Sequence, residues 1–566
     1  MNMVPANIHA FLQNALELHQ SGDLQGAEFQ YCQVLSAEPK NFTALANVGL
    51  IALLKAQWQE AEAYLARALD IQPTASDLHF KLAIAFQQQN KAEQAVSAYQ
   101  QVIALNPLFP EAYINLGILL KDLGEIDNAI ACYEQALSLN PNLAEAYSNL
   151  ALALSETGKI EEAIAACQQA IAIKPDFPGA YINLGCIFHT QNDLEDALNA
   201  YQKAITLEPN RAETYHNLGL VYHFLGRIEE AIISYQQALS LRENYPEAHF
   251  SLAIAYLLSG DYVNGWREYE WRLVAKNSLH PMTTHLERGL DLATCNQEIL
   301  LMEEQGIGDI FQFLRYGKLL KSWFPVVSIA VREPLCQLIQ MTGIFDNTYP
   351  WPFQDVVIDP DAKWLPILSL PGILEVSPDN PLIVDSYIQT DRDKSSYWHN
   401  QLKSSALTIG LNWQGDPLSE RTGFQGRSFN LSEYEPLASL ANVQFLSLQK
   451  GFGSEQLLTC SFKERFVKCQ DEINETWDWM ETAAIIQNCD LIITSDTSIA
   501  HLAGAMGKPT WILLKKVPDW RWGLEGEHCP WYPSVRLFRQ TQDGNWAEVM
   551  ERVKAALSRQ ILNAPG

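Results

Sequence analysis

Four short stretches of this chain gather side chains that can hold an anion or move a proton. "EEQGIGD", residues 303–309, sets Gly306 and Gly308 just ahead of Asp309. Glycines let backbone approach a ligand closely. A carboxylate beside them can act as a general base towards an acceptor hydroxyl, or it can simply cap the following helix. "SLQKG", residues 447–451, puts Lys450 where a strand ends and Gly451 begins a turn, a good place for a point charge to meet a diphosphate. "SDTSIAH", residues 495–501, puts Asp496, Thr497 and Ser498 at a helix start, where unpaired N–H groups favour an anion. Thr497 and Ser498 add hydroxyl donors. Asp496 cannot ligate a phosphate, but it can accept from sugar or ribose hydroxyls or cap the helix. His501 sits one turn in, on the face of Thr497. Alone it reads as a core histidine; with Lys450 and Asp496 it reads as part of a pocket. "NWQGDP" and "GRSFN", at 412–417 and 426–430, contribute Asn412, Gln414 and Arg427. Arg427 is a candidate phosphate ligand, although an arginine in a loop is more often just solvated.

Strand–loop–helix units must position these groups. Residues 299–302 read as a strand, 303–309 as a loop and 310–322 as a helix; "VVSIAV" and "DVVID" read as further strands. Residues 375–404 read as a crossing segment. "LTIGLNWQGDP", "VQFLSLQKG", "DLIITSDTSIAHLAGAMGKP" and "TWILL" repeat the theme, and "WAEVMERVKAALSRQIL" closes the chain as an amphipathic helix. Alternating strands and helices imply parallel sheets. Two such lobes, 299–404 and 405–566, would hold a ligand in the cleft at their strand carboxyl ends, the outline of a GT-B fold. "VPDWRWGLEGEHCPWYPSVRLFRQ", residues 517–540, carries Trp520, Trp522, Trp531 and Tyr532, which either brace the sheet edge or stack on a base or sugar.

The first half has a different grammar. Proline recurs at 39, 73, 107, 141, 175 and 209, and alanine at 27, 61, 95, 129, 163, 197 and 231, each 34 residues apart. Gly or Ala recurs at 49, 83, 117, 151, 185, 219 and 253, and Tyr99, Tyr133, Tyr201 and Tyr235 form a fourth register that Cys167 interrupts. This is the tetratricopeptide period, two antiparallel helices per unit. About eight units fill residues 1–273, and stacking them gives an all-α superhelix with a concave face. Asn47, Asn115, Asn149, Asn183 and Asn217 share one further register, with Lys81 and Ser251 as exceptions. An amide both donates and accepts, so such a ladder would grip an extended polypeptide, or else bridge neighbouring helices. "GDYVNGWREYEWRL", residues 260–273, is rich in aromatics for a terminal cap and reads as a docking surface for the next domain. Residues 274–298 read as a linker.

Composition narrows the function classes. The net charge is −27, which argues against nucleic acid as the main partner, since a phosphate-binding footprint needs a basic surface. The N-terminus lacks the basic and apolar regions of a secretory signal. No apolar run reaches the roughly 18 residues of a membrane span. Ten scattered cysteines without a C-x-x-C pair read as reduced residues, and the expected location is the cytoplasm. Asp359-Pro360-Asp361 and Asp391-Arg392-Asp393 match D-x-D, but neither clearly follows a core strand, and no metal site is read from them.

Taken together, "EEQGIGDIFQFLRY", "LNWQG", "RSFNL", "LQKG", "SDTSIAHLAGAMGKPTWILL", "PDWRW" and "HCPWYPS" resemble bacterial tetratricopeptide-repeat glycosyltransferases. The catalytic half is similar to the ADP-heptose:lipopolysaccharide heptosyltransferases, and the layout and asparagine register resemble O-GlcNAc transferase. The resemblance implies an all-α superhelix followed by an α/β GT-B-type pair of Rossmann-like lobes. It implies inverting, metal-independent transfer from a nucleotide-diphosphate sugar, with no other cofactor. Gly308-Asp309 match the family's proposed base, and Asp496, Thr497, Ser498 and His501 its donor motif, with Ser498 in place of a glycine. Lys450 matches the lysine that offsets diphosphate charge. The expected acceptor is a polypeptide hydroxyl recruited by the repeats. The alternatives are a glycan or lipid-precursor acceptor, and a non-catalytic scaffold that binds a nucleotide sugar. Homo-oligomerisation stays open.

Overall fold

The computed structural model describes residues 8–275, 298–353, 362–417, 420 and 426–563. The expected linker at 274–298 lies almost entirely outside these residues, as do "DVVID" and Asp359-Pro360-Asp361. The chain divides into two compact units, Met1–Leu218 and Gly219–Gly566.

Helix pairs of the tetratricopeptide type run from Ile8–Ser21 to Tyr262–Tyr269, sixteen helices in all. The registers explain the packing. The seven alanines at the 34-residue spacing are completely buried between paired helices. The glycines let a neighbouring ring approach: a Cβ on Gly117 would lie 2.6 Å from Tyr133 Cε1, and one on Gly185 2.8 Å from Tyr201 Cε1. A side chain at either glycine would have to displace the tyrosine ring packed against it.

The second unit begins with the last helix pairs and continues into two parallel sheets. The first contains β1 (Glu298–Met302), β2 (Val326–Arg332), β3 (Asn347–Trp351) and β4 (Lys363–Pro366), in the order β3-β2-β1-β4. The second contains β5 (Leu407–Asn412), β6 (Val443–Ser447), β7 (Leu491–Ser495), β8 (Thr510–Leu514) and β9 (Val535–Arg539), in the order β6-β5-β7-β8-β9. Every neighbouring pair is parallel. β7 and β8 are buried along their whole length, as sheets covered on both faces require. Side chains alternate between two cores: Ile299 and Leu301 of β1 join the large one, while Leu300 and Met302 join a small one with Ala330 and Trp364.

The helix after β1 is Ile307–Phe313, shorter and earlier than 310–322. Asp309 Oδ2 accepts from the Gly306 N–H at 2.8 Å, which closes the first turn at that point. A 3-10 turn, Leu314–Tyr316, and a short helix, Gly317–Leu320, follow. Helix Arg392–Leu402 lies inside the crossing segment, and Asp391 is its N-cap, accepting from Lys394 N at 2.9 Å. That cap accounts for one carboxylate of the second D-x-D.

The aromatic end of the repeats is a docking surface, as its composition suggests. Trp266 and Tyr269 are buried in the same core as both sheets. The Trp266 indole donates to Val376 O at 2.7 Å and meets the Trp520 ring edge-on at 5.2 Å. Arg272 is fully buried and grips Glu304 in two-pronged fashion, at 2.7 and 3.0 Å, with Ser369 Oγ at 2.9 Å. Both charges leave water, so the geometry has to be good for the pair to be tolerated.

Candidate functional site

In the second sheet, chain order reverses direction at β5: β6 lies on one side and β7 on the other. Ligands of open parallel sheets bind outside the strand carboxyl ends at such a switch point. Asn412 ends β5, Gln449 and Lys450 follow β6, and Asp496, Thr497 and Ser498 follow β7. These residues therefore share one edge.

Asn412 and Thr497 build the edge rather than line it. Thr497 Oγ1 donates to Asn412 Oδ1 at 2.9 Å, and Asn412 Nδ2 donates to Gln449 Oε1 at 2.8 Å. Gln449 Oε1 also accepts from the backbone of Trp413 and Gln414, and its Nε2 donates to the carbonyls of Gln414 and Phe452. A buried amide with its capacity filled this way ties the loop after β5 to the loop after β6. Gln449 is the hub, and only its neighbour Lys450 stands out in the sequence.

Further polar groups sit beside this frame. Ser495 Oγ is buried without a hydrogen-bond partner among the described residues. Ser498 opens helix Ser498–Ala505, with Thr497 as N-cap. Gln414 Oε1 is buried without a hydrogen-bond partner among the described residues, and it lies 1.9 Å from where a Cβ on Gly453 would fall. Lys450 Nζ is held by the Ile473 carbonyl and by Thr476 Oγ1 at 3.3 Å. Among the described residues no carboxylate pairs with Lys450, and burial pulls its pKa down to about 8. Arg427 Nε reaches Glu420 Oε1 at 3.4 Å, and its guanidinium lies 2.6 Å from where a Cβ on Gly415 would be. Asp496, half-buried, is pushed up to about 6, first by burial and next by Asp519.

The glycine loop of the first sheet meets this edge. A Cβ on Gly308 would lie 2.8 Å from His501 Cδ2, so the bare glycine admits the imidazole. His501 is buried, stacks on Trp522 at 5.1 Å, and places Nδ1 3.1 Å from the Tyr532 hydroxyl. Burial, reinforced by Arg521, Arg315 and Arg427, holds its pKa well below the usual histidine value, so the ring is neutral. Trp520, Trp522, Trp531 and Tyr532 are all buried; Trp520 and Trp531 meet Tyr262 at the end of the repeats, and Trp522 and Tyr532 lie against His501.

Asp309 has two partners. One oxygen caps Gly306, and the other is ion-paired with Arg521. Arg521 also holds Asp519 Oδ1 at 2.8 Å and Gln312 Oε1 at 2.6 Å. Burial opposes its charge, but Asp519 and Asp309 outweigh that and raise its pKa. Arg521 is the main residue that sequence reasoning passes over. Its signal is an arginine between two tryptophans in "PDWRW", too apolar a setting for a solvated cation.

The asparagine register divides. Asn183 Nδ2 donates to Ser148 O and Oγ at 3.0 and 2.8 Å, and Asn217 reaches Cys186 Sγ at 3.8 Å, so both bridge successive repeats. Asn47 bonds within its own helix, to Thr43 O at 2.8 Å, and Asn115 interacts with the Tyr99 hydroxyl. Asn149 Nδ2 is buried without a hydrogen-bond partner among the described residues.

Among the described residues no cluster of three or more His, Cys, Asp or Glu side chains is disposed to hold a metal, and no helix is long and apolar enough to cross a membrane.

Residues 477–558 match the model of glycosyltransferase family 9 (heptosyltransferase). Tetratricopeptide repeat models match 12–76, 85–124, 119–158, 144–177, 185–226 and 223–260. Protein FlbA of Caulobacter vibrioides is 31% identical over 176 residues, which span 31% of this chain and 29% of FlbA. A tetratricopeptide repeat protein from Parabacteroides merdae is 20% identical over 44% of this chain and 98% of its own, with a TM-score of 0.39. TTC0263, a repeat protein of Thermus thermophilus, is 21% identical over 32% of this chain and 100% of its own, with a TM-score of 0.30. The family 9 match supports a glycosyltransferase, and the repeats suggest protein–protein interaction. The chain joins tetratricopeptide repeats to a C-terminal domain of the glycosyltransferase family 9 (heptosyltransferase) type.

Proposed function

We propose that this chain moves a sugar from a nucleotide-diphosphate sugar onto a hydroxyl of a polypeptide recruited by the repeats, through a GT-B pair of lobes. The observation that carries this reading is the contact of Gly308 with His501. It sets the Asp309 loop of one sheet against the switch point of the other, where Lys450 and the Ser498 helix start would meet the diphosphate.

The acceptor oxygen attacks the anomeric carbon from the side opposite the diphosphate, so the configuration inverts. Asp309 takes the hydroxyl proton as the new C–O bond forms and the sugar–phosphate bond breaks. The nucleoside diphosphate leaves with the electron pair. Lys450 and the N-terminus of helix Ser498–Ala505 offset its charge, and the reading requires no resident metal. Neutral His501 and half-buried Asp496 hydrogen-bond the donor. Nucleotide sugars are cytoplasmic metabolites, so the reaction belongs there.

Asn183 and Asn217 favour a second reading. Their amides are occupied between repeats, which suits a superhelix used for assembly while the lobes glycosylate a glycan or lipid precursor.

A thermal-shift screen of UDP-, GDP- and ADP-sugars tests the donor, since a ligand that binds only the native state stabilises it. No shift with any of them overturns the reading. Labelled sugar on protein, lost in Lys450→Ala, supports a polypeptide acceptor; labelled glycan or lipid with unlabelled protein supports the second reading. Donor binding without turnover leaves a scaffold.

A further inference from the structure

We propose that Trp477, set over the loop that carries Lys450, is the stacking platform for the nucleobase of the donor. The inference rests on the transferase reading and adds a site to it.

Of the fifteen tryptophans in the chain, Trp477 alone is exposed, at 69%. The others are buried or partly buried. An exposed indole offers a flat apolar face on which another ring can stack. Its position is defined on both sides. Thr476 Oγ1, one residue earlier, takes a hydrogen bond from Lys450 Nζ. Asp478, one residue later, caps helix Trp479–Gln487 through Glu481 N. The indole lies over Gly451, with Cη2 3.8 Å from where a Cβ would be. Gly451 has φ +64, in the left-handed region that favours glycine. Phe452, 57% exposed, is next in the same loop, and its carbonyl is pinned by Gln449 Nε2 at 2.8 Å.

The loop therefore presents a flat ring and, beside it, a half-buried ammonium with no carboxylate partner among the described residues. It does so at the carboxyl end of β6, next to the switch strand β5. A ring asks for a flat, polarisable group, and the ammonium asks for an anion. A nucleotide supplies both in one molecule. An apolar protein segment covering Trp477 would leave Lys450 charged and uncompensated, which is costly.

The test compares binding of UDP, ADP, GDP and inorganic pyrophosphate to the full chain and to Trp477→Ala, Trp477→Phe and Lys450→Ala by titration calorimetry. Circular dichroism confirms that each variant is folded. The expected result is that Trp477→Ala weakens the preferred nucleoside diphosphate by about tenfold, Trp477→Phe restores most of it, and pyrophosphate binding is unchanged in both. Lys450→Ala weakens nucleotide and pyrophosphate alike. Unchanged nucleotide affinity in Trp477→Ala, with loss in Lys450→Ala, overturns the platform and leaves the transferase reading intact. Equal loss of pyrophosphate binding in Trp477→Ala also overturns it, because the indole would then be supporting the loop. If no nucleoside diphosphate binds the unaltered chain, both readings fall.

Discussion

Asp309 and Arg521 lie 212 residues apart in sequence and form an ion pair that joins the glycine loop after β1 to the turn after β8. The carboxylate that the sequence marks as a candidate base is therefore never alone. Arg521 gives it a cation partner, and the Gly306 N–H holds it in place.

Replacing either partner separates chemistry from stability. In Asp309→Asn the amide oxygen can still cap Gly306, so the fold survives while transfer falls by roughly 10²–10⁴, the range for a lost general base. Arg521→Gln leaves Asp309 and Asp519 facing each other without a cation, and stability drops by about 3 kcal/mol. Urea denaturation alongside sugar-transfer rates distinguishes the two. Near-normal transfer in Asp309→Asn would leave the residue a helix cap only.

Asp496 makes stability depend on pH in an unusual direction. Its folded pKa, about 6, lies above the roughly 3.9 of an unfolded aspartate. Between those values the native state binds more protons than the unfolded one, so stability falls as pH rises through the window. Asp496→Asn should gain about 1–2 kcal/mol at pH 7.5, allowing for partial solvent screening, and nothing at pH 3.5. Melting curves at the two pH values read this out; an equal gain at both would contradict it.

Lys450 gives the donor site an alkaline limit. In the free protein it loses its charge near pH 8, while a diphosphate prefers the ammonium. Nucleoside diphosphate affinity should decline above that pH, by up to about tenfold per unit. Lys450→Gln should bind weakly throughout and show no such decline. Calorimetric titrations from pH 7 to 9.5 provide the check.

Gly308→Ala probes the contact between loop and helix. The added methyl meets the His501 ring at 2.8 Å, and the expected cost is about 1–3 kcal/mol. His501→Ala in the same chain makes room, so the double variant should lose less than the two single losses summed. Strict additivity would show that the two residues do not touch in solution.

Much of this architecture is legible before folding, because it rests on periodicity. Alanines 34 apart and unbroken apolar runs such as "ILLM" in β1 leave little freedom about helix pairs and buried parallel sheets. The site is legible only where chemistry lies in local patterns: Gly308-Asp309, Lys450, and the 496–501 turn. Arg521 and Gln449 escape because their roles are set by partners from distant strands. Asn412 and Thr497 look like ligand contacts in the sequence, yet their polar groups satisfy each other across β5 and β7. Their spacing alone carries no trace of that pairing.

The buried junction between the last helix pair and Glu304 bears on how such chains recombine. A crossover drawn at the end of the repeats would strip Trp266 and Arg272 from a core that depends on them and leave a carboxylate stranded. The transferable cassette therefore begins near Gly219, and its final helices travel with the sheets. Upstream repeats can be gained, lost or exchanged in steps of 34 residues without touching the residues that contact Glu304.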